Sequence, residues 1–297
     1  MDRKGLRFQR KLSLWVTCAA GLAAAVAAAL PAQAGARLLA TGGVSEVEGS
    51  AGGGLTPWAL IAGLGTDRQI GAGASCTRVK PNDYELNVCG LAVGIRDRVE
   101  LSLARQRFDL GDVVPGEHID QTVAGMKVRL LGDAVYDQDR WWPQIAFGAQ
   151  YKKNSDFDFV PQLIGARHGS DVDFYLAATK VYLAGPLSRM WLVNATIRAT
   201  RANQLGLLGF GGDRSDSRSL QGEGSVAVFL SDSVVLGAEY RQKPDKLSAF
   251  AEQDAWDGFL AWFPCKNFSA TAAYVDLGNI AAHSDQHGWY LSLQASF

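Results

Sequence analysis

The feature that most constrains this chain is a strict alternation of apolar and polar side chains, repeated in segments of about ten residues. "RVELSLARQR" sets Val99, Leu101 and Leu103 against Glu100, Ser102 and Ala104. "PQIAFGAQYKK" sets Ile145, Phe147, Ala149 and Tyr151 against Gln144, Ala146, Gly148, Gln150 and Lys152. "WLVNATIRAT" and "VVLGAEYRQK" repeat the pattern, and the chain ends on it in "GWYLSLQASF". A period of two is a β-strand with one apolar face and one wet face. Termini fray unless they are tied down, so the final strand is expected to pair on both edges, with Phe297 at its end.

A soluble antiparallel sandwich also alternates. Two features point elsewhere. The polar faces mix Gly, Ala, Ser and Gln with charges, a composition suited to a crowded lumen. Connection lengths also alternate. Short turns such as "IRDR", "SDS" and "PCKN" switch with long polar segments: 109–120, 153–171, 202–219, 243–255 and 276–287. Short turns on one side and long loops on the other mark a transmembrane antiparallel up-and-down β-barrel. In lipid an open edge leaves backbone groups unpaired, so the last strand must close on the first. Trp142, Trp191, Trp262, Phe268 and Trp289 are expected to form interfacial girdles, with the long loops extracellular. Bacterial barrels close with an even strand number. We expect fourteen strands in a barrel over 55–297, with "RLLATGGVSEVEG" supplying the first. The alternative is twelve, with the Gly-rich N-terminal segment (35–54) folded into the lumen as a plug.

"MDRKGLRFQRK" followed by an Ala-rich apolar stretch and then Ala32 and Ala34 reads as a secretory signal peptide over 1–34, cleaved near Ala34. Removing five basic residues and one acidic residue moves the formal charge from −1 to −5. Cys18 lies within the apolar stretch and has no lipoprotein box before it. Beyond residue 34 no apolar run is long enough for a transmembrane helix. Neither charge nor composition suggests a nucleic-acid partner.

"CTRVKPNDYELNVC" reads as a hairpin turning at Asn82-Asp83, which sets Cys76 opposite Cys89 for a cross-strand disulfide and leaves Cys265 free. No metal-ligand spacing or cofactor motif is present. "GEGSVA" (222–227) opens a strand and does not link strand to helix, so it is no dinucleotide fingerprint. His118, His168, His283 and His287 all fall in expected extracellular loops, and "HSDQH" offers no nucleophile held against a base. The informative charges lie on the faces assigned to the lumen: Lys127, Arg129, Arg198 and Arg241, with Glu100, Glu223 and Glu239. A basic residue facing lipid at the midplane costs on the order of 2–4 kcal/mol, so these point inward. There they either line a channel, with a modest anion preference, or pair across a filled lumen.

"ATGGVSEVEGSAGGGL", "DRVELSLARQRFD", "MKVRLLGDAVYDQD", "PQIAFGAQYKKN", "LGLLGFGGDR", "GAEYRQKPD" and "GWYLSLQASF" resemble, in order, a family of proteobacterial exported proteins catalogued as a domain of unknown function. The resemblance covers nearly the whole chain after the signal peptide. It implies an outer-membrane barrel of a Gram-negative bacterium, names no substrate, and carries over no catalytic residue. The expected partners are outer-membrane lipid and the barrel-assembly machinery, the latter reading Trp289, Leu291, Leu293 and Phe297. The expected function is a porin-like passive channel for small polar solutes. The alternatives are a non-conducting scaffold for an exported partner and, as a minor reading, an outer-membrane hydrolase.

Overall fold

The computed structural model describes residues 42–297. The signal-peptide reading, including Cys18, Ala32 and Ala34, lies outside the described residues. Twelve antiparallel strands form one closed barrel: β3 (Ile70–Pro81), β4 (Glu85–Ile95), β5 (Val99–Asp109), β6 (His118–Leu131), β7 (Gln144–Asn154), β8 (Ser170–Tyr182), β9 (Trp191–Thr200), β10 (Ser219–Ser231), β11 (Val234–Arg241), β12 (Ala255–Cys265), β13 (Phe268–Asp276) and β14 (His287–Ser296). Each strand pairs with its sequence neighbour, and β14 closes on β3 from Gly288↔Pro81 to Ser296↔Gly73. The ladder continues to Phe297, whose N–H donates to Ala72 and whose carbonyl accepts from Leu64 and Ala72.

Alternation decides which face is which. On β5, Leu101 and Leu103 are 48% and 52% exposed, whereas Glu100 and Gln106 are 1% and 0% exposed. The same parity puts Leu91, Phe147, Leu176, Val193, Leu236, Leu260 and Leu291 on the outside. A continuous apolar belt around a closed, edge-free sheet is the solution for a sheet solvated by hydrocarbon. Trp191 and Trp262 ring its short-turn end; Trp256 and Trp289 ring the other. All five long connections named from the sequence lie at one end, opposite the turns at 96–98, 232–233 and 266–267. The connections at 132–143 and 183–190 are exceptions, longer segments on the short-turn side, and 82–84 is a short turn on the long-loop side.

The expected count of fourteen is corrected to twelve, and the barrel begins at Ile70, not Leu55. Residues 42–64 run through the interior and all are buried; exposure begins at Thr66, in the tail leading into β3. There β1 (Val44–Ser45) pairs with β2 (Ala51–Gly52) as a small hairpin of its own. The tip of this hairpin is closed by Glu46 N–H to Ser50 O and Gly49 N–H to Glu46 O. The strand propensity of "VSEVEG" is therefore spent inside the barrel and not in its wall. Glycine makes the close fit. A Cβ on Gly94 of the wall would sit 2.1 Å from the Ala62 carbonyl oxygen, and one on Gly53 would sit 1.9 Å from Glu239 Oε1.

Candidate functional site

The lumen is organised around three grips on this internal segment. The first meets the hairpin tip, toward the long-loop end. Glu48, fully buried, hydrogen-bonds the Lys152 ammonium from β7, lies 3.3 Å from Arg198 Nη1 on β9 and accepts from Arg241 Nη2 on β11 at 3.0 Å. Wall carboxylates share the same cations. Asp173 is 2.7 Å from Lys152, and Glu223 pairs with Arg198 and lies 3.6 Å from Arg241 Nε. Arg198 also stacks over the Tyr175 ring at 5.2 Å. Hydrogen bonds to the other acceptors complete the grip. Gln150 donates to Glu46 at 2.7 Å, Gln106 donates to the Val47 carbonyl at 2.7 Å, and Arg241 Nη1 donates to the Leu55 carbonyl at 2.8 Å.

The second grip, toward the short-turn end, holds main chain. Glu100 and Lys127 face each other on β5 and β6 and pair at 3.2 Å. Glu100 accepts from the N–H groups of Ala51 and Ala62, while Lys127 donates to the carbonyls of Ala51 and Leu60. The third grip is Glu239, which accepts from Gly54 N–H, Leu55 N–H, Thr56 Oγ1 and Ser225 Oγ. Burying backbone groups without partners would cost on the order of 1–3 kcal/mol each, so the wall supplies what a non-regular segment lacks.

Long loops cover the tip. Gln121, Lys152 and Asn154 donate to carbonyls of the 203–207 turn. Lys243 bonds Gln204 and the Leu277 carbonyl and lies 3.3 Å from Glu252. Burial lowers the pKa of Lys243 and raises that of Glu252, outweighing their mutual attraction. Between loops and tip a cavity of about 30 Å³ remains, lined by Val47, Leu55, Phe108, Leu205, Ile280 and Arg241. That is room for water and not for a solute.

Six of the seven charges picked from the sequence lie in these grips. Arg198, Arg241 and Glu223 meet at Glu48, Glu100 meets Lys127, and Glu239 stands with the segment itself. They do not line an open passage, because residues 42–64 fill it. Arg129 is apart. It lies at the short-turn rim, bound to Asp97, Asp133 and the Gly132 carbonyl. Sequence reasoning missed Glu46 and Glu48, which lie in the stretch assigned to a first wall strand, and did not single out Lys152 or Asp173 as charges of the site. The surplus of wall cations over the wall carboxylates beside them was the available signal. In the "HSDQH" loop the side chains do not converge: Ser284 donates to Asp285, while His283 faces Asp83.

Cys76 and Cys89 are direct partners in the β3–β4 ladder and are joined as a disulfide on the outer face; Cys265 is free and exposed. Trp289, Leu291 and Leu293 point outward on β14. Among the described residues no group of three or more His, Cys, Asp or Glu side chains is placed to hold a metal ion.

The chain belongs to the family described as "Protein of unknown function (DUF3034)", whose model matches residues 41–294. No curated protein matches it. Among solved structures it is similar to a KdgM porin (TM-score 0.49, 10% identity, 76% of this chain and 99% of that one). It is also similar to the outer membrane protein Omp33 of Acinetobacter baumannii (0.42, 8%, 77% and 97%). A third is the COG4313 outer membrane channel from Pseudomonas putida F1 (0.39, 11%, 76% and 93%). Likenesses of this strength carry no argument about function, and the barrel rests on its own strand pairing.

Proposed function

We propose that this protein is an integral outer-membrane barrel of a Gram-negative bacterium and acts as a porin-like channel for small polar solutes, closed at rest by its own residues 42–64. The observation that carries the reading is the chemistry of the inner wall. Gln106, Gln121, Gln150, Lys152, Asp173, Asn194, Thr196 and Arg198 all face the lumen. A wall of that kind stays wettable once the segment leaves, whereas a permanent filler is served as well or better by apolar packing. Among the described residues, the segment is continuous with the wall where it runs into β3, so it can withdraw without opening the sheet. The assembly machinery is proposed to read the apolar face of β14, so deleting Phe297 should lower outer-membrane yield.

The second reading, a non-conducting scaffold, is favoured by the filled lumen. Planar-bilayer recording of the full-length protein separates the two. The channel reading expects long closed intervals broken by discrete openings, which become more frequent in Glu48→Gln. Flat traces in both proteins, with heat-modifiable migration proving that both are folded, would leave the scaffold.

A further inference from the structure

The tip grip holds more positive charge than its wall can balance. Three fully or almost fully buried cations, Lys152, Arg198 and Arg241, stand among only two wall carboxylates, Asp173 and Glu223. Glu48 is the third carboxylate in contact with these cations, and it comes, with Glu46 beside it, from the segment that must move if the lumen opens. Withdrawal therefore exposes a site with one uncompensated positive charge. That site has two guanidinium groups and an ammonium at hydrogen-bonding distance from one point, with the amides of Gln106 and Gln150 beside them. Guanidinium forks recognise planar carboxylates, and a low-dielectric wall strengthens the attraction.

We propose that the Lys152–Arg198–Arg241 belt is a binding site for the carboxylate of an acidic solute, and that Glu48 occupies it as an internal mimic of that solute. This rests on the channel reading and names the substrate class for it. The mimicry extends past one residue. The tip offers carboxylates at both Glu46 and Glu48, and carbonyls at Val47 and Leu55, to a wall that answers each with a donor. A solute carrying repeated carboxylates among polar acceptors would meet the same donors. The small cavity beside Arg241, between the tip and the long loops, lies on the side from which such a solute would arrive. Competition for the belt then couples solute binding to plug release, since both cannot hold the same three cations.

The test uses the full-length protein carrying Glu46→Gln and Glu48→Gln, in detergent, with a fluorescent hexapeptide of sequence SEVEGS and its counterpart with both glutamates replaced by glutamine. Fluorescence anisotropy should show the acidic peptide binding the variant at least about tenfold more tightly than the neutral one. It should bind the unsubstituted protein at least about tenfold more weakly than the variant. Adding Arg241→Gln to the variant should abolish the preference for acid. Equal binding of the two peptides, or a preference that survives Arg241→Gln, overturns the proposal. If the double variant fails to insert, Glu48→Asp, which withdraws the carboxylate from the arginines, is read by the same criteria. Bilayer recording of the variant separates this inference from the channel reading. Charge-selective binding with no conductance removes the channel and keeps the site; conductance without charge-selective binding removes the site and keeps the channel.

Discussion

The two ends of the internal segment are held by opposite chemistry. At the tip, wall cations grip a side chain, Glu48, that belongs to the segment. At the short-turn end, the paired side chains Glu100 and Lys127 belong to the wall and grip the segment's backbone. The first grip depends on the segment's sequence, and a competing anion can replace it. The second is made to main-chain groups and does not depend on any charge carried by the segment. If the lumen opens as proposed, the tip is therefore the end expected to release first.

The comparison breaks most visibly at Glu48. Glu48→Gln removes the one carboxylate that touches Lys152, Arg198 and Arg241 together, a defect worth about 3–5 kcal/mol when one partner of a buried pair is removed. The protein should lose heat-modifiable migration at lower temperature and become protease-sensitive within residues 42–50, with the barrel strands still protected. Glu100→Gln keeps one acceptor oxygen but leaves Lys127 as a buried unpaired charge, again about 3–5 kcal/mol and toward the lower end because Lys127 keeps two carbonyl acceptors. Its protease sensitivity should appear over residues 51–64, and the tip should remain protected. Sensitivity of the whole segment in either variant would mean that the two grips act as one.

Removing the disulfide sharpens the contrast by leaving both grips alone. Replacing Cys76 and Cys89 by serine should lower barrel stability by about 2–3 kcal/mol, the value for closing a short loop, with no change in cleavage of residues 42–64. Non-reducing peptide maps of the parent should show the Cys76–Cys89 link and only Cys265 open to alkylation. The smallest effect is expected at the short-turn rim. Burial pushes the Asp133 carboxyl up, but the N–H groups of Tyr136 and Val135 and the Arg129 guanidinium outweigh it, and the net pKa is lowered. Its contribution is present above the ordinary carboxylate value near 4 and is lost as pH falls through the lowered folded value. Acidification below about pH 4 should loosen the 132–143 connection, measured by hydrogen exchange, before it affects the tip.

The wall was legible because its rule is local. Leu101 and Leu103 against Glu100, or Val193 and Ile197 against Arg198, declare lipid and lumen by parity alone. The inward direction of Lys127, Arg198 and Arg241 followed from the cost of turning them toward hydrocarbon. The interior was not legible by that rule. "VSEVEG" has strand propensity and does pair, Val44 with Gly52 and Ser45 with Ala51, but periodicity does not say which sheet a strand joins. Glu46 and Glu48 went unmarked because nothing local identifies a carboxylate as the counter-charge of Lys152 or Arg241 more than a hundred residues away. Composition held a hint in the glycines from Gly52 to Gly54, which suit a backbone pressed against a wall better than a strand exposed to lipid.

The central claim is that residues 42–64 lie inside the barrel, and Thr56 with Ser225 tests it most directly. Their hydroxyl oxygens are 2.6 Å apart, one on the internal segment and one on the inner face of β10. Cysteines placed at both positions, with Cys265 replaced by serine, should form an intramolecular disulfide in membrane-inserted protein. It would appear as a linked peptide joining residues 56 and 225, and as openings that return only after reduction. Full alkylation of both cysteines in the folded, membrane-inserted protein, with no linked peptide, would place the segment outside the lumen and contradict the account.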